Sequence, residues 1–359
     1  MPFERYMELA LYAPGLGYYV AGARKFGRAG DFVTAPELSP LFGACLASQC
    51  AATLKTLGGG HIIEFGGGSG RLAASILRTL TTLDALPESY LIIELSPELR
   101  RRQQVYLMTE IPELVSRVAW LNGPPAAPLA GIVIANEIID ALPVTLFRTA
   151  REGTTERGVG VDANGVLTLR GRPASRELEA NVAARRHAAP APWPESYCSE
   201  INHRQRWWLA DLEHFLARGV VVLADYGYPA SEYYHPDRSE GTLQCYFRHH
   251  VHSEPLWYPG LQDITAAVDF TALADAAVDA HFQVEGFAEQ AAYLLSLGIT
   301  ERLAVQSGGS DLQRYQMTQA VKTLLLPHAM GTRAKFLVLS RDYVGPILGF
   351  TVRNDLYRL

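Results

Sequence analysis

The segment HIIEFGGGSGRLAASIL, His61 to Leu77, constrains the chain more than any other. A short greasy run closes on an acid, glycines follow, and apolar residues then recur at helical spacing. The run reads as a buried strand and the recurrence as a helix, so the glycines form the bend between them. Something comes so close to that bend that side chains are not tolerated. The unit repeats in outline. YLIIEL precedes the helical PELRRRQQVYLM, RVAWL is a further short strand, and GIVIANE and GVVVLADYG are two more, the second preceded by helical HRQRWWLADLEHFLAR. Strands alternating with helices specify a parallel α/β sheet. Near-continuous Ile/Val/Leu runs fit strands covered on both faces.

The chain of 359 residues is 48% hydrophobic, enough for a real core and too much for global disorder. A net charge of −5 argues against a surface built for nucleic acid. No apolar run reaches the roughly 18 residues of a membrane helix, so membrane insertion is not expected. The start, MPFERYMELALY, lacks both the pattern of a secretory signal and the Arg- and Ser-rich character of an organelle presequence. A cytoplasmic protein is the expectation. Cys45, Cys50, Cys198 and Cys245 show no CxxC spacing and read as unpaired thiols.

The organisation expected from these patterns has four parts. Residues 1–40 are a Gly/Tyr-rich lid or cap. Residues 41–143, 201–250 and 332–343 form the core, the last through the strand AKFLVLSRD rejoining the sheet. Residues 144–200 are an insertion, with VGVDANGVLTLR as a β-hairpin. Residues 251–331 are a mainly helical addition on the substrate side. HRQRWW reads as a helix with a basic face and buried tryptophans.

The glycine spacing narrows the ligand. A dinucleotide fingerprint, G-x-G-x-x-G, is weakened by Arg71 counted from Gly66 and by Ala73 counted from Gly68, and no Walker Gly-Lys-Ser/Thr ending follows. Glu64-x-Gly66-x-Gly68-x-Gly70 fits instead the E/D-x-G-x-G-x-G loop of S-adenosylmethionine (SAM) enzymes. Glu64 could hold the cofactor's ammonium. Glu94, ending the next strand, could accept hydrogen bonds from both ribose hydroxyls, a device that dinucleotide enzymes share. Ser96 follows it as a further cofactor-side candidate. The competing reading is a tight turn with a capping acid.

GIVIANEIIDALP ends another strand at the same edge of the sheet with Asn136, Glu137 and Asp140. Asn136 is a cofactor-side candidate. Two carboxylates and an amide around a transferred methyl suit a nitrogen acceptor; the plainer alternative is a helix cap with a structural Asp140. DFVTAPE offers Asp31, Thr34 and Glu37 as a lid over the cofactor, with Thr34 and Glu37 also at capping-box spacing.

With these motifs the chain resembles the MidA-type SAM-dependent methyltransferases, whose mitochondrial members are arginine methyltransferases and assembly factors of respiratory complex I. The resemblance runs through YMELALYAPGLGYYV, GDFVTAPELSPLFG, EFGGGSGRLAASIL, LIIELSPELRRRQ, IVIANEIIDALPV, LADYGY, GTLQCYFRHHVH, DITAAVDFTAL and MGTRAKFLVL, almost the whole chain. It implies a Rossmann-like, seven-stranded methyltransferase fold with an inserted β-hairpin/helical region and a helical C-terminal addition. It implies SAM at Glu64, Gly66, Gly68, Gly70 and Glu94. It also implies a protein substrate, an arginine of a complex I 49-kDa-type subunit. The family loop usually reads G-P-G, and here Gly67 stands in place of the proline.

Under that resemblance the acceptor is a guanidinium, protonated and poorly nucleophilic. Paired carboxylates could grip it and take up the released proton. Glu137 is the first candidate, Asp140 the second and Asp225 of LADYG the third. His249 of RHHVH is a candidate proton acceptor or substrate contact. His250 and His252, with Asp263 or His281, would make a poor metal set, and no metal is expected. A non-catalytic SAM-binding assembly factor, or a methyltransferase of another protein or a small molecule, remain the alternatives.

Overall fold

The computed structural model describes residues 1–21, 34–305 and 310–359. The chain begins with α1 (Phe3–Tyr12), the single turn α2 (Ala35–Leu38) and α3 (Pro40–Leu57). Ser39 accepts a hydrogen bond from the Leu41 N–H, Pro40 opens α3, and Gly58 closes it in the left-handed conformation. Then come β1 (His61–Phe65), α4 (Arg71–Thr82), β2 (Tyr90–Ile93), α5 (Pro97–Glu110), β3 (Val118–Leu121) and β4 (Leu129–Asn136). Next are β5 (Thr145–Ala150), β6 (Gly153–Val161), β7 (Leu167–Pro173), α6 (Arg176–Ala188) and β8 (Tyr197–Ile201). The chain resumes with α7 (Arg204–Phe215), β9 (Leu216–Tyr228), α8 (Ala230–Tyr233), β10 (Gln244–Phe247), β11 (His250–His252) and β12 (Asp263–Thr265). It ends with β13 (Val268–Asp269), α9 (Phe270–Asp279), β14 (Gln283–Glu289), α10 (Gln290–Ser296), α11 (Ile299–Val305), α12 (Asp311–Leu325) and β15 (Ala334–Arg341).

The central sheet has the order β14-β15-β9-β4-β1-β2-β3, with β13 added beside β9. From β3 to β9 all pairings are parallel, and β15 runs antiparallel to both β9 and β14. Successive side chains of a strand point to opposite faces. Ile62, Ile132, Ile134, Val220 and Val222 therefore enter the core under α3 and α4, while Ile63, Val133, Val221 and Leu223 enter the core under α7 and α9. Burying each such side chain contributes about 1.5–3 kcal/mol. The chain order reverses between β1 and β4, and in open α/β sheets that reversal leaves a crevice at the strands' carboxyl ends.

Residues 145–201 form a separate antiparallel sheet, β7-β6-β5-β8, and β11-β10-β12 form a third. α1 packs on both through Phe3, Met7, Leu146, Val159, Cys245 and Ile264. Two expectations need correction. Residues 251–331 are mainly helical but are not a separate addition: β13, α9 and β14 belong to the central sheet and its helical layer. β14 is an edge strand with an irregular register between Val284 and Gly286, which breaks the alternation that would have revealed it. The tryptophans of α7 are not both buried. The buried face is Gln205, Leu209, Leu212 and Phe215, whereas Trp207 is exposed beside the Arg204 guanidinium and Trp208 packs edge-on against Phe65.

Candidate cofactor and acceptor site

A cavity of about 980 Å³ lies at the carboxyl ends of β1, β2, β4 and β9, bordered by α1, α2, β10 and β12. Its first half is built on the glycine loop. Gly66, Gly68 and Gly70 all have positive φ, +63°, +51° and +87°. A Cβ at Gly66 would stand 2.6 Å from Ile138 Cδ1, so the loop after β1 touches the loop after β4. A Cβ at Gly68 would meet no protein atom within 4 Å. Gly68 lines the cavity, so the space it leaves free is cavity space.

Glu64 is buried and accepts a hydrogen bond from the Tyr90 hydroxyl at 2.8 Å. Burial pushes its carboxyl up to about 8, with the nearby Glu94 adding to the effect. Glu94 is held on both oxygens, Oε1 by the Ser96 N–H at 2.9 Å and Oε2 by Gln103 Nε2 at 3.0 Å. Ser96 borders the cavity, but its hydroxyl accepts from the Leu99 N–H to cap α5. Thr34 also borders the cavity at the start of α2 and makes no side-chain cap. The capping box with Glu37 is absent because Glu37 turns instead to the glycine loop, taking a short hydrogen bond from Ser69 and pairing with Arg71 Nε at 3.2 Å. Asp31 lies outside the described residues.

The second half surrounds the loop after β4. Glu137 takes a left-handed φ of +54°, its N–H donates to Ala224 O at 2.8 Å, and Asn136 Nδ2 donates to its Oε1 at 3.3 Å. Asn136, Glu137 and Asp140 all line the cavity. Burial, then the charge of Asp225, pushes Glu137 up to about 8, and the same two causes with Glu137 and Asp263 raise Asp140 well above the carboxylate range.

Asp225 is placed differently from the expectation of a substrate-gripping acid. Its Oδ2 accepts from the N–H groups of Ile138 (3.2 Å), Ile139 (2.8 Å) and Asp140 (3.3 Å), and its Oδ1 from Tyr226 N–H (2.8 Å). Burial pushes it up to about 7 against the pull of those four donors. It is absent from the cavity wall and holds the loop that presents Glu137 and Asp140. His249 is also removed from the site. It shares with Arg248 a positive-φ turn joining β10 to β11, is exposed and does not border the cavity. The expectation assumed a strand running through it; a two-residue hairpin turn puts it at the tip instead. Among the described residues no three His, Cys, Asp or Glu side chains are grouped to hold a metal ion. All four cysteines are buried free thiols.

Sequence reasoning weighed Asp263 only as a poor metal ligand and missed its place in the cavity wall, together with a set of tyrosines. Asp263 is buried on β12, lines the cavity and receives the Tyr19 hydroxyl on both oxygens at 2.9 and 3.0 Å. Tyr12 stacks on Tyr19 at 5.5 Å between ring centroids and donates to Ala141 O at 2.9 Å. Burial, then the charges of Asp263, Asp140 and Glu94, raise the Tyr12 hydroxyl, so this ring stands between the two halves. The signal was present in the aromatic Tyr12, Tyr18 and Tyr19 and in an aspartate opening a strand, but only the tertiary fold brings them together.

Residues 45–288 match a family model of S-adenosyl-L-methionine-dependent methyltransferases, more than half of the chain. The chain belongs to that family. A solved structure from Burkholderia thailandensis, bound to S-adenosyl-homocysteine, is 41% identical with a TM-score of 0.94 and covers 100% of this chain and 92% of that one. A curated relative from Danio rerio, the mitochondrial protein arginine methyltransferase NDUFAF7, is 28% identical over 96% of this chain and 87% of its own length. The human NDUFAF7 is 28% identical over 93% of this chain and 78% of its own length. This methyltransferase therefore uses SAM. The site fits such a ligand on its own geometry: a side-chain-free cradle at Gly68, a two-oxygen acceptor in Glu94 and a buried acid in Glu64. The expectation of a cytoplasmic protein is overturned by the curated relatives, which are named mitochondrial. Among the described residues no helix is long and apolar enough to cross a membrane.

Proposed function

We propose that this methyltransferase modifies an arginine side chain of a protein, and that the protein is a homologue of the complex I 49-kDa subunit. The carrying observation is the group of carboxylates, half-buried Glu137 with buried Asp140 and Asp263, gathered on one side of the cavity. Neither Glu137 nor Asp140 pairs with a cation among the described residues. Burial first, and then like charges at this proximity, keep these groups from all ionising until a cation arrives. A guanidinium satisfies several carboxylate oxygens at once with its planar fork of N–H donors. The names of the curated relatives support the same acceptor.

Glu64, Gly66, Gly68, Gly70 and Glu94 would hold SAM, with Asn136, Ser96 and Thr34 bordering it. When bound, SAM supplies an electrophilic methyl group on a positively charged sulfur. Glu137 and Asp140 bind the guanidinium and turn one nitrogen toward the cofactor half. Asp225 holds their loop in place; fixing nucleophile and electrophile together can contribute up to roughly 7–11 kcal/mol. The proton lost by the methylated nitrogen passes to Glu137 or Asp140, whose raised affinity for protons suits them as acceptors near neutral pH. Tyr12, Tyr19 and Asp263 wall the acceptor space and exclude water.

The test is Glu137→Gln, read by mass spectrometry of the 49-kDa homologue and by calorimetry with S-adenosylhomocysteine. The proposal expects transfer to fall by on the order of a hundredfold while cofactor affinity stays within about twofold. Loss of cofactor binding would move Glu137 into the cofactor site and defeat this assignment.

A further inference from the structure

Helix α5 buries only three of its residues, Leu99, Gln103 and Leu107. They are spaced four apart and form the stripe that faces the sheet. The middle member of an apolar stripe is thus an amide, and it is completely buried. A buried side-chain amide costs stability unless its hydrogen bonds are made. Here three are. Gln103 Nε2 donates to Gly68 O and to Glu94 Oε2, each at 3.0 Å, and its Oε1 accepts from Trp120 Nε1 at 2.8 Å. One side chain therefore joins the glycine loop, the acid after β2 and the indole of β3.

The geometry explains why no other residue type serves. Both donors of the amide are spent on acceptors and its carbonyl on a donor. A carboxylate would set acceptor against acceptor at Glu94 and Gly68. An aliphatic side chain would keep the stripe and lose all three bonds. The close approach of α5 also bears on the loop: a Cβ at Gly67 would lie 3.2 Å from Gln103 Nε2, and one at Gly70 3.6 Å from Gln103 Cα. With Gln103 on Oε2 and the Ser96 N–H on Oε1, the Glu94 carboxylate is held in one orientation.

We infer that Gln103 is the positioning residue of the cofactor site, presetting the Glu94 carboxylate and the Gly68 cradle before SAM binds. The inference rests on the reading that Glu94 and the glycine loop hold the cofactor. Preorganisation of this kind acts through affinity, because it removes the ordering cost from the binding step.

The test compares Gln103→Leu, Gln103→Glu and Glu94→Gln by calorimetry with S-adenosylhomocysteine from pH 5.5 to 8.5, alongside thermal unfolding of each. Gln103→Leu should weaken binding about tenfold or more, the equivalent of losing one hydrogen bond to a charged group. Gln103→Glu carries the discriminating readout. Binding should come closest to wild type at low pH, where a proton shared between the two carboxyls replaces the donor to Glu94, though not the one to Gly68 O. It should then weaken relative to wild type as the pH rises and that proton leaves. A general packing defect would not depend on pH in this way, and this arm also serves if the leucine variant does not fold. Unchanged affinity in Gln103→Leu with weakened binding in Glu94→Gln would overturn the role of Gln103 alone. Unchanged affinity in both would overturn the cofactor-site reading together with it.

Discussion

Glu64 offers a quantitative test of how the site treats charge. Its carboxyl is pushed up to about 8 by burial, with Tyr90 on one oxygen, no donor on the other among the described residues and Glu94 nearby. At pH 7 such a group is about nine-tenths protonated. If it receives the cofactor's ammonium, the bound state holds it ionised, and about 0.9 proton leaves per ligand at pH 7, falling to about 0.5 at pH 8. By the same linkage, affinity should rise roughly fiftyfold between pH 6 and pH 8. Calorimetry with S-adenosylhomocysteine in two buffers of different ionisation enthalpy reads the proton count directly. Glu64→Gln should abolish the release and flatten the pH dependence. Zero release by the wild type, or the same release by the variant, would refute the reasoning and place the ammonium elsewhere.

Other perturbations separate the two halves of the cavity. Asp225→Ala leaves three buried loop amides without their acceptor and should cost on the order of 2–5 kcal/mol of stability; it should reduce transfer far more than cofactor affinity, and equal losses would argue against its placement in the acceptor half. Gly68→Ala should cost only about 1 kcal/mol in stability, for a side chain at positive φ, because its Cβ meets no protein atom. It should nonetheless weaken S-adenosylhomocysteine binding by roughly tenfold or more, since that Cβ projects into the cavity; wild-type affinity would contradict the cradle. The pH dependence of kcat/KM should rise through about 7 to 8, where Asp225 and Glu137 titrate as members of one coupled group, because a cation is gripped only by ionised carboxylates. Thermal stability of the unliganded protein should move the opposite way. These carboxyls have raised values in the fold, so their stabilising contribution is complete below the unfolded carboxylate range and is lost as pH rises toward about 8.

The legible parts of this fold were those written in short range. β1, β2, β4 and β9 were readable because strands covered on both faces need uninterrupted Ile, Val and Leu, and each ended in a polar residue at one edge of the sheet. That edge placed Glu64, Glu94, Asn136 and Glu137 along one crevice before any coordinates. The illegible parts depend on which way a side chain turns or on distant partners. Asp225 follows its strand just as Glu94 does, yet it turns to three amides of a neighbouring loop instead of toward the cavity. Asp263 acquires its meaning from Tyr19, 244 residues away in sequence. His249 depended on whether one short segment was a strand or a turn. Gln103 was not singled out, because Val105 and Met108 blur the stripe it belongs to and its three partners come from three separate elements.

The most direct measurement is a crystal structure of this chain with S-adenosylhomocysteine. The account predicts the nucleoside against the Gly66–Gly70 bend, both ribose hydroxyls on Glu94, and the sulfur facing the space walled by Glu137, Asp140 and Asp263. A ligand lodged away from that bend, or a sulfur turned from those carboxylates, would contradict it.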